Sequence, residues 1–204
     1  MEIFKEMPPR RISLVMRYHI DYSFTVDLQS YNKGNVVISV RSIKANEWHK
    51  YRELRLRALR DSPNAFGSTY EAEKTRTSDI WMSQIDAATS SGIDCVLFAE
   101  MHGVVCGLVW CKLSITDPGT ADIYQMWVDP AARGLGAGYA LLDAAVTWAR
   151  RTDARRVRLG VTDADSQAMR LYKSYGFHQT GETWPLRDGS RLKAQTLELN
   201  FGAD

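Results

Sequence analysis

Hydrophobic and polar residues follow either a period of two or a helical period along the chain from Val36 onward. The segment "NVVISVRSI" alternates as a half-buried strand does. Asn46 stands where a helix cap is expected, and the apolar positions after it repeat at helical spacing as far as about Arg60. This pattern predicts a strand and then a helix whose apolar faces are formed by Trp48, Tyr51, Leu54, Leu56 and Leu59.

Breaks in the pattern delimit the elements that follow. Pro63 and Gly67 interrupt the first helix, and a second helix is predicted from Thr77 or Ser78 to just before Gly92. Two strand-like segments come next, "DCVLFAE" and "VVCGLVWCKL", joined by a short turn that contains a glycine. The segment "ADIYQMWV" predicts a third strand in this part of the chain.

A glycine-rich corner separates that strand from a long amphipathic helix. The helix is followed by a short strand, "RRVRLGV", a second helix, "DSQAMRLYKSY", and two final strands, "FHQTGETW" and "LKAQTLELN". The predicted order is β-α-α-β-β-β-α-β-α-β-β. It indicates an α/β sandwich with helices on both faces of a mixed, mostly antiparallel sheet, plus one parallel crossover.

Residues 1–35 do not fit this regular pattern. The segment "YHIDYSFTVDLQSY" alternates weakly, so residues 1–35 are interpreted as an N-terminal extension and residues 36–204 as the folded domain. Three alternatives stay open for the extension: an added edge strand, a flexible segment, or sequence upstream of the native start.

Composition narrows the function classes. The chain has 204 residues, 45% of them hydrophobic and 25% charged, with a formal net charge of +2. This small charge gives no general argument for a nucleic-acid partner, and the apolar runs are too short and too interrupted to span a membrane. Three cysteines without zinc-site spacing are expected to be buried reduced thiols of a cytoplasmic protein, and the scattered histidines suggest no metal.

The corner "RGLGAG" is typical of a phosphate-binding turn. Glycines at positions 134, 136 and 138 let a ligand approach the backbone. The N–H groups that begin the following helix have no helical acceptors, and Arg133 adds positive charge. Tyr139 stands where a dinucleotide fingerprint needs glycine, and the Lys-Ser/Thr pair of a P-loop is missing. A turn that serves only helix–strand packing is the remaining alternative.

Two motifs resemble those of the GNAT superfamily of N-acetyltransferases. The run from Arg133 to Gly138, after "MWVDPAA", resembles the acetyl-CoA loop of that superfamily. The downstream segment "VTDADSQAMRLYKSYGFHQTG" resembles a second GNAT motif at the expected separation. Asp165 departs from the usual Asn, and an ionised carboxylate only accepts hydrogen bonds, so a contact from this side chain to pantetheine is in doubt.

The resemblance implies a GNAT fold and transfer of the acetyl group of acetyl-CoA, without a metal, to an amine that attacks directly in a ternary complex. The family has a bulge in the strand before the glycine corner, where backbone groups bind pantetheine and the thioester carbonyl. The cofactor-binding residues implied in this way are Met126, Trp127, Val128, Arg133, Gly134, Leu135, Gly136, Ala137, Gly138, Tyr139, Asp165, Ala168 and Tyr172. Ordinary strand packing of Met126 and Trp127 is compatible with that role.

Two residues are implied to carry the chemistry. Tyr172 matches the family tyrosine that protonates the leaving thiolate, although a tyrosine packed under the last strands is the alternative. Asp122 is the candidate base that removes the proton of the amine, with Glu71 and Glu73 as alternatives. Strict alternation along the strand would place Asp122 and Tyr124 on the same face as Met126.

The acceptor is expected to be a small-molecule amine. Residues implied beside it are Phe66, Tyr70, Glu71, Tyr124 and Trp184, whose aromatic rings form either a pocket wall or part of the core. A protein N-acetyltransferase and a catalytically silent acyl-CoA-binding module stay open, and dimers are common in the family, so a homodimer is considered. Five arginines between Arg150 and Arg158 are interpreted as a solvated helix end rather than a contact for phosphate or RNA.

Overall fold

A computed structural model describes residues 29–33 and 36–202 of the chain. Its eight strands form one sheet in the order β1-β2-β3-β4-β5-β6-β8-β7, and every neighbouring pair is antiparallel except β5 and β6. The strands are β1 Gln29–Lys33, β2 Val36–Ser42, β3 Asp94–Met101, β4 Val104–Leu113, β5 Thr120–Val128, β6 Arg156–Thr162, β7 His178–Pro185 and β8 Lys193–Asn200.

Helices cover both faces of this sheet. They are α1 Trp48–Asp61, α2 Tyr70–Glu73, α3 Ser78–Ser90, α4 Ala137–Arg151 and α5 Gln167–Tyr175. The face covered by α4 and α5, here called the α4 face, includes Leu97, Val109 and Leu159 in its core. The opposite face, here called the α1 face, is covered by α1 and α3 and includes Phe98 and Leu108. The predicted α/β class, with a mostly antiparallel sheet between helices, is confirmed.

The helix boundaries show one error in the sequence analysis. Asn46 does not cap α1, because residues Ala45–Glu47 already form a 3₁₀ turn. The Glu47 carboxylate accepts a hydrogen bond from the Lys44 backbone N–H at 3.0 Å and pairs with Arg41. Thr77 and Ser166 do cap α3 and α5, since each side-chain oxygen accepts a backbone N–H from the first turn of its helix.

The N-terminal extension is described only in part. Residues 29–33 form β1, which pairs with β2 from Gln29↔Val40 to Lys33↔Val36. The other residues of the proposed extension, 1–28 and 34–35, lie outside the described part of the chain. In the described part, no helix is long and apolar enough to cross a membrane.

Candidate functional site

Strand β5 contains a bulge at Gln125. Leu108 of β4 pairs with Trp127 of β5, and Trp110 pairs with Tyr124. Two steps along β4 therefore correspond to three steps along β5. Gln125 supplies the extra residue and has φ +56°, a left-handed conformation that costs an ordinary side chain about 1–2 kcal/mol. Its side-chain Oε1 accepts a hydrogen bond of 2.6 Å from the hydroxyl of Tyr51 on α1.

The bulge reverses the alternation of side chains along β5, and this corrects the sequence analysis. Met126 lies on the α4 face, where its sulfur is 3.6 Å from the Tyr172 hydroxyl. Asp122 and Tyr124 lie on the α1 face, since the Cα partner of Tyr124 is Trp110, which packs in that core. The prediction that Asp122 and Tyr124 share a face with Met126 is therefore wrong, because one inserted residue shifts a period of two.

Beyond Ile123, β5 and β6 separate. Their parallel pairing runs from Thr120↔Arg156 to Ile123↔Leu159 and stops there. From this point β6 continues along β8 alone, whereas β5 continues along β4 alone. The β6-facing edge of residues 124–128 thus has no strand partner among the described strands, and its backbone groups other than the Val128 carbonyl, which accepts from Arg133, can bond a ligand.

The corner "RGLGAG", residues 133–138 and here called the glycine loop, comes soon after this open edge in the chain. Gly134 and Gly136 have φ values of +77° and +100°, and Gly136 is the N-terminal cap of α4. Within the described chain, no heavy atom lies within 4 Å of a Cβ placed on either glycine. Ala140 donates the first helical hydrogen bond, to the Gly136 carbonyl at 3.0 Å, so the amides before it precede the helical ladder. This combination of space and backbone donors suits a phosphate.

Close packing determines the sequence around the loop. A Cβ on Gly138 would lie 3.4 Å from Leu171 of α5 and 3.9 Å from Met126, so glycine lets the start of α4 approach both elements. Ala137 is fully buried under the loop, Leu135 is half-buried, and the Tyr139 ring is 47% exposed and 5.6 Å from that of Tyr175.

The side chain of Arg133 is already engaged. Its Nε donates to the Val128 carbonyl at 3.0 Å, and its guanidinium pairs with Asp61, the last residue of α1. Asp61 also accepts a hydrogen bond of 2.9 Å from the indole of Trp127. Burial opposes ionisation of Asp61, but hydrogen bonds from Ser62, Trp127 and Arg133 outweigh it and lower the pKa of this carboxyl. Asp61 therefore joins α1 to β5 and to the glycine loop.

Tyr172 lies at the bulge. The side chain is 7% exposed, its ring packs 5.9 Å from Phe177, and its hydroxyl donates to the Met126 sulfur. Burial raises the pKa of Tyr172 to about 12, so the phenol remains protonated at neutral pH. A buried neutral hydroxyl beside the open edge of β5 is suited to donating a proton.

The other two residues of the second motif that were predicted to bind the cofactor, Asp165 and Ala168, are exposed. Asp165 pairs with Arg170 at 2.6 Å, and both side chains are more than half exposed. Ala168 is exposed on the first turn of α5. Ser166, rather than Asp165, provides the side-chain cap of α5.

Asp122 forms an ion pair on the α1 face. Its Oδ1 and Oδ2 accept from Arg158 on β6 at 2.8 and 3.3 Å, one residue before β5 and β6 separate. Arg158 also pairs with Asp117 at 3.1 Å, and Asp117 pairs with Arg156. Burial, reinforced by the charge of Asp122, raises the pKa of the neighbouring Tyr124 hydroxyl. Arg158 thus bonds both oxygens of the Asp122 carboxylate, which leaves the second lone pair of each oxygen as an acceptor.

The alternative bases also have partners. Glu73 is 8% exposed and its two oxygens accept from Arg55 at 2.8 to 3.3 Å. Glu71 is exposed on the short helix α2 and pairs with Lys74.

Three segments meet where the acceptor is expected from the sequence. Arg187, in the turn between β7 and β8, donates to the carbonyls of Pro63 and Phe66 at 2.9 and 3.0 Å. Thr162, at the end of β6, donates to the Asn64 carbonyl at 2.6 Å. The loop between α1 and α2 is therefore held against both the β7–β8 hairpin and the end of β6.

The aromatic residues expected beside the acceptor differ in exposure. Phe66 is buried against the Arg55 guanidinium, 4.7 Å away, and Tyr70 packs under Arg60 at 4.3 Å. Tyr124 and Trp184 are 48% and 40% exposed, and Trp184 lies against Gly160 of β6. Only these last two rings present a large surface to solvent in this set.

The cysteines and several of the clustered arginines are engaged in packing or ion pairs. The three cysteines are buried and unpaired, and burial raises the pKa of Cys95 to about 12 and that of Cys106 to about 11. Of the clustered arginines, Arg156 and Arg158 pair with aspartates and Arg150 packs on Phe201. Among the described residues, no group of three or more metal-binding side chains occurs.

Comparison with protein families agrees with this geometry. A family model described as "Acetyltransferase (GNAT) family" matches residues 48–177, which include the bulge, the glycine loop and Tyr172. The chain belongs to the GNAT family of acetyltransferases. The predicted family is thus confirmed, and so is its acyltransferase class.

The curated relatives of this GNAT domain are distant. Mycothiol acetyltransferase of Thermobispora bispora is 31% identical over 128 residues, which cover 61% of this chain and 40% of that protein. The N-acetyltransferase MJ1207 of Methanocaldococcus jannaschii is 27% identical over 147 residues, covering 69% of this chain and 61% of that protein. The chain spans about 40% of the length of the first mycothiol acetyltransferases that it matches.

Solved structures share the fold. The yncA protein of Salmonella typhimurium, described with its cofactor acetyl-CoA, superposes with a TM-score of 0.68 at 22% identity and covers 82% of this chain and 95% of that one. A ribosomal-protein-alanine N-acetyltransferase of Brucella melitensis gives a TM-score of 0.66 at 18% identity, covering 79% of this chain and 99% of that one.

Several residues of the GNAT site were not found from the sequence. Tyr51 and Gln125 are 74 positions apart, Asp61 and Arg133 are 72 apart, and Arg187 binds a loop more than 120 positions away. The hydrophobic pattern does not mark these residues as part of a site, because Tyr51, for example, has the spacing of an ordinary core residue. An unbroken strand pattern also hides a bulge, so Gln125 had no distinguishing mark.

Proposed function

We propose that this GNAT domain transfers the acetyl group of acetyl-CoA to a primary amine of a small molecule. The observation that carries the proposal is the continuity of three features: the open edge of residues 124–128, the glycine loop that follows it, and the Tyr172 hydroxyl beside the bulge. In this reading, amides at the start of α4 bind the diphosphate of acetyl-CoA, and the open edge of β5 binds the pantetheine arm.

The reaction needs one bond to form and one to break. The nitrogen of a neutral amine attacks the thioester carbonyl, and a backbone N–H of the bulge stabilises the resulting oxyanion. The C–S bond then breaks and Tyr172 donates its proton to the sulfur, while the attacking nitrogen loses the proton that it no longer needs as an amide, and this proton restores the phenol through water. Since burial raises the pKa of Tyr172 to about 12, the phenol holds that proton until the thiolate forms.

The proton of the amine needs a separate acceptor. A lysine-like amine has a pKa of about 10.4 and is mostly protonated at neutral pH. We propose that Asp122, whose two oxygens are bonded by Arg158, takes this proton through water. Tyr124 and Trp184, exposed beside the separation of β5 and β6, are proposed to contact the acceptor.

Two observations favour a small acceptor over a protein. Arg187 and Thr162 tie the α1–α2 loop to the hairpin and to β6, and we propose that this fixed loop leaves less room for an extended peptide than for a small amine. In addition, several relatives are named mycothiol acetyltransferase, and mycothiol is a small molecule. The second candidate, acetylation of a protein N-terminus, is favoured by the fold neighbour named ribosomal-protein-alanine N-acetyltransferase.

One assay separates these candidates. The protein is incubated with acetyl-CoA and, in parallel reactions, with small amines, peptides that have a free N-terminus, or lysine peptides. Thiol release is followed, and the masses of the products are measured by mass spectrometry. The proposal expects acetylated small amines. Acetylation of peptides alone would favour the protein-acetylating candidate. Tight binding of acetyl-CoA with no product from any acceptor would instead indicate a silent acyl-CoA-binding module.

A further inference from the structure

The strained residue of the β5 bulge is held by a single side chain from the opposite layer. Gln125 has φ +56°, which glycine adopts freely and glutamine rarely does. Nothing in the identity of the residue favours that conformation locally. The bulge therefore needs a contact outside β5 to stay in one geometry.

Tyr51 supplies that contact from α1. The side chain is 0% exposed and is fixed by edge-on packing against Trp81 and Trp110, with ring centroids 5.8 and 5.7 Å away. Its hydroxyl donates to Gln125 Oε1 at 2.6 Å. A rigid buried ring thus presents one hydroxyl to the only left-handed residue of β5.

The hydrogen bond also satisfies both polar groups that form it. A buried phenol without a hydrogen-bond partner is unfavourable, so Tyr51 and Gln125 satisfy each other. Burial raises the pKa of Tyr51 above that of a free phenol, which keeps the hydroxyl a donor at any pH where the protein is used.

We propose that the Tyr51–Gln125 hydrogen bond is a positioning device that fixes the β5 bulge, and so aims the backbone of Met126 at the thioester. The inference rests on the proposed function for its catalytic consequence, but the fixing of the bulge does not. Tyr51 is a positioning residue: it packs in the core of the α1 face, whereas Met126 packs in that of the α4 face, and it acts through the side chain of Gln125.

Two variants break the bond from either end. Tyr51→Phe removes the donor and keeps the packed ring, whereas Gln125→Met removes the acceptor and keeps the side-chain volume. If both substitutions break the same bond, the double variant should show no larger change in amide exchange or kcat than the more affected single variant. Such non-additivity is the sign of energetic coupling. Tyr175→Phe is the matched control, because it also removes a partly buried tyrosine hydroxyl, bonded to Asp143 at 2.7 Å, without touching β5.

Hydrogen exchange of the protein without ligand is the first measurement. In Tyr51→Phe, amides of residues 124–128 are expected to exchange about five- to tenfold faster, the change that loss of one neutral hydrogen bond produces. Exchange in β3 and in α4 stays as in the wild type, and Tyr175→Phe leaves residues 124–128 unchanged. Equal protection of residues 124–128 in Tyr51→Phe and the wild type would overturn the proposal, whether or not the protein is an enzyme.

Steady-state kinetics give the second readout. An oxyanion donor acts in the transition state, so Tyr51→Phe is expected to lower kcat by about five- to tenfold and to change the KM for acetyl-CoA less than about twofold. Faster exchange with an unchanged kcat would overturn the catalytic part of the proposal. A wild type that acetylates no amine would overturn the proposed function, while the exchange data would still decide whether the bond fixes the bulge.

Discussion

Strand β5 consists of two halves that differ in how their backbone and side chains are used. Residues 120–123 pair with a strand on each side, and the Asp122 carboxylate is held by Arg158 across the parallel pair. Residues 124–128 pair on one side only, contain the bulge at Gln125 and lead into the glycine loop. The first half is paired within the sheet on both sides, whereas the second has a β6-facing edge without a strand partner in the part of the chain that the structure describes.

This difference shows how a sheet can contain a binding edge without losing stability. The first half fixes the position of β5 by full pairing. The second half is supported from the helical layers instead: Tyr51 bonds Gln125, Asp61 bonds Trp127, and Tyr172 contacts Met126. Strand pairing is thus replaced by side-chain contacts on both faces, which leaves the β6-facing edge open.

The largest effect is expected at the loop that follows the second half. Gly136→Glu places a negative side chain where the structure has open space, so it should weaken CoA binding by more than about 100-fold through repulsion and exclusion of the diphosphate. Calorimetric titration measures this. Gly103→Glu is the control, since Gly103 also has positive φ and open space but lies in the distant β3–β4 turn. Equal CoA affinity of the two variants would contradict the assignment of the loop.

The next effect concerns Tyr172, the proposed proton donor beside the bulge. Tyr172→Phe should lower kcat by about 100-fold and leave the affinity for CoA nearly unchanged, because the hydroxyl acts on the leaving thiolate. Burial raises the pKa of Tyr172 to about 12, so the protonated form persists and kcat of the wild type should show no alkaline decline up to about pH 10. Thiol release measured from pH 7 to 10 checks both statements. Wild-type turnover by Tyr172→Phe would refute the assignment.

A smaller effect is expected in the first half of β5. Asp122→Asn should lower kcat by about tenfold, because the amide cannot take the proton that the proposed water relay brings to this carboxylate. Asp117→Asn is the matched control, because Asp117 pairs with the same Arg158. If both variants lose activity equally, the aspartates serve only the ion-pair ladder and the base lies elsewhere.

The smallest effect concerns the link between α1 and the loop. Asp61→Asn retains an acceptor for Trp127 but removes a negative charge that pairs with Arg133. Acetyl-CoA should then bind about threefold tighter at low salt, and the gain should shrink at high salt because screening weakens charge interactions. Calorimetry at two salt concentrations measures this, with Asp86→Asn on α3 as a control. Weaker binding by Asp61→Asn would indicate that the pair holds the loop in its binding conformation.

The element order of the fold was predictable from the sequence, because each long element shows its own period. The positions of the glycine loop and of Tyr172 were predictable too, since both lie in motifs of consecutive residues. The cap of α1 was not predicted correctly, because Asn46 lies inside the 3₁₀ turn Ala45–Glu47, whose last residue, Glu47, bonds the Lys44 backbone.

The faces of β5 and the ion pairs of the site were beyond a local pattern. The bulge depends on Tyr51, which lies on another element, so alternation alone placed Met126 on the wrong face. The partners of Asp122 and Arg133 are 36 and 72 positions away, and only the folded sheet brings them together. The position of the α1–α2 loop depends likewise on Arg187, which lies 121 positions from Phe66.

A crystal structure of the protein with CoA tests the central claim most directly. The account predicts that the diphosphate accepts hydrogen bonds from backbone amides between Gly134 and Gly138, and that the pantetheine arm follows the β6-facing edge of residues 124–128. CoA bound elsewhere, for example in the depression of about 380 Å³ beside Arg57, Asp61 and Asp129, would contradict it.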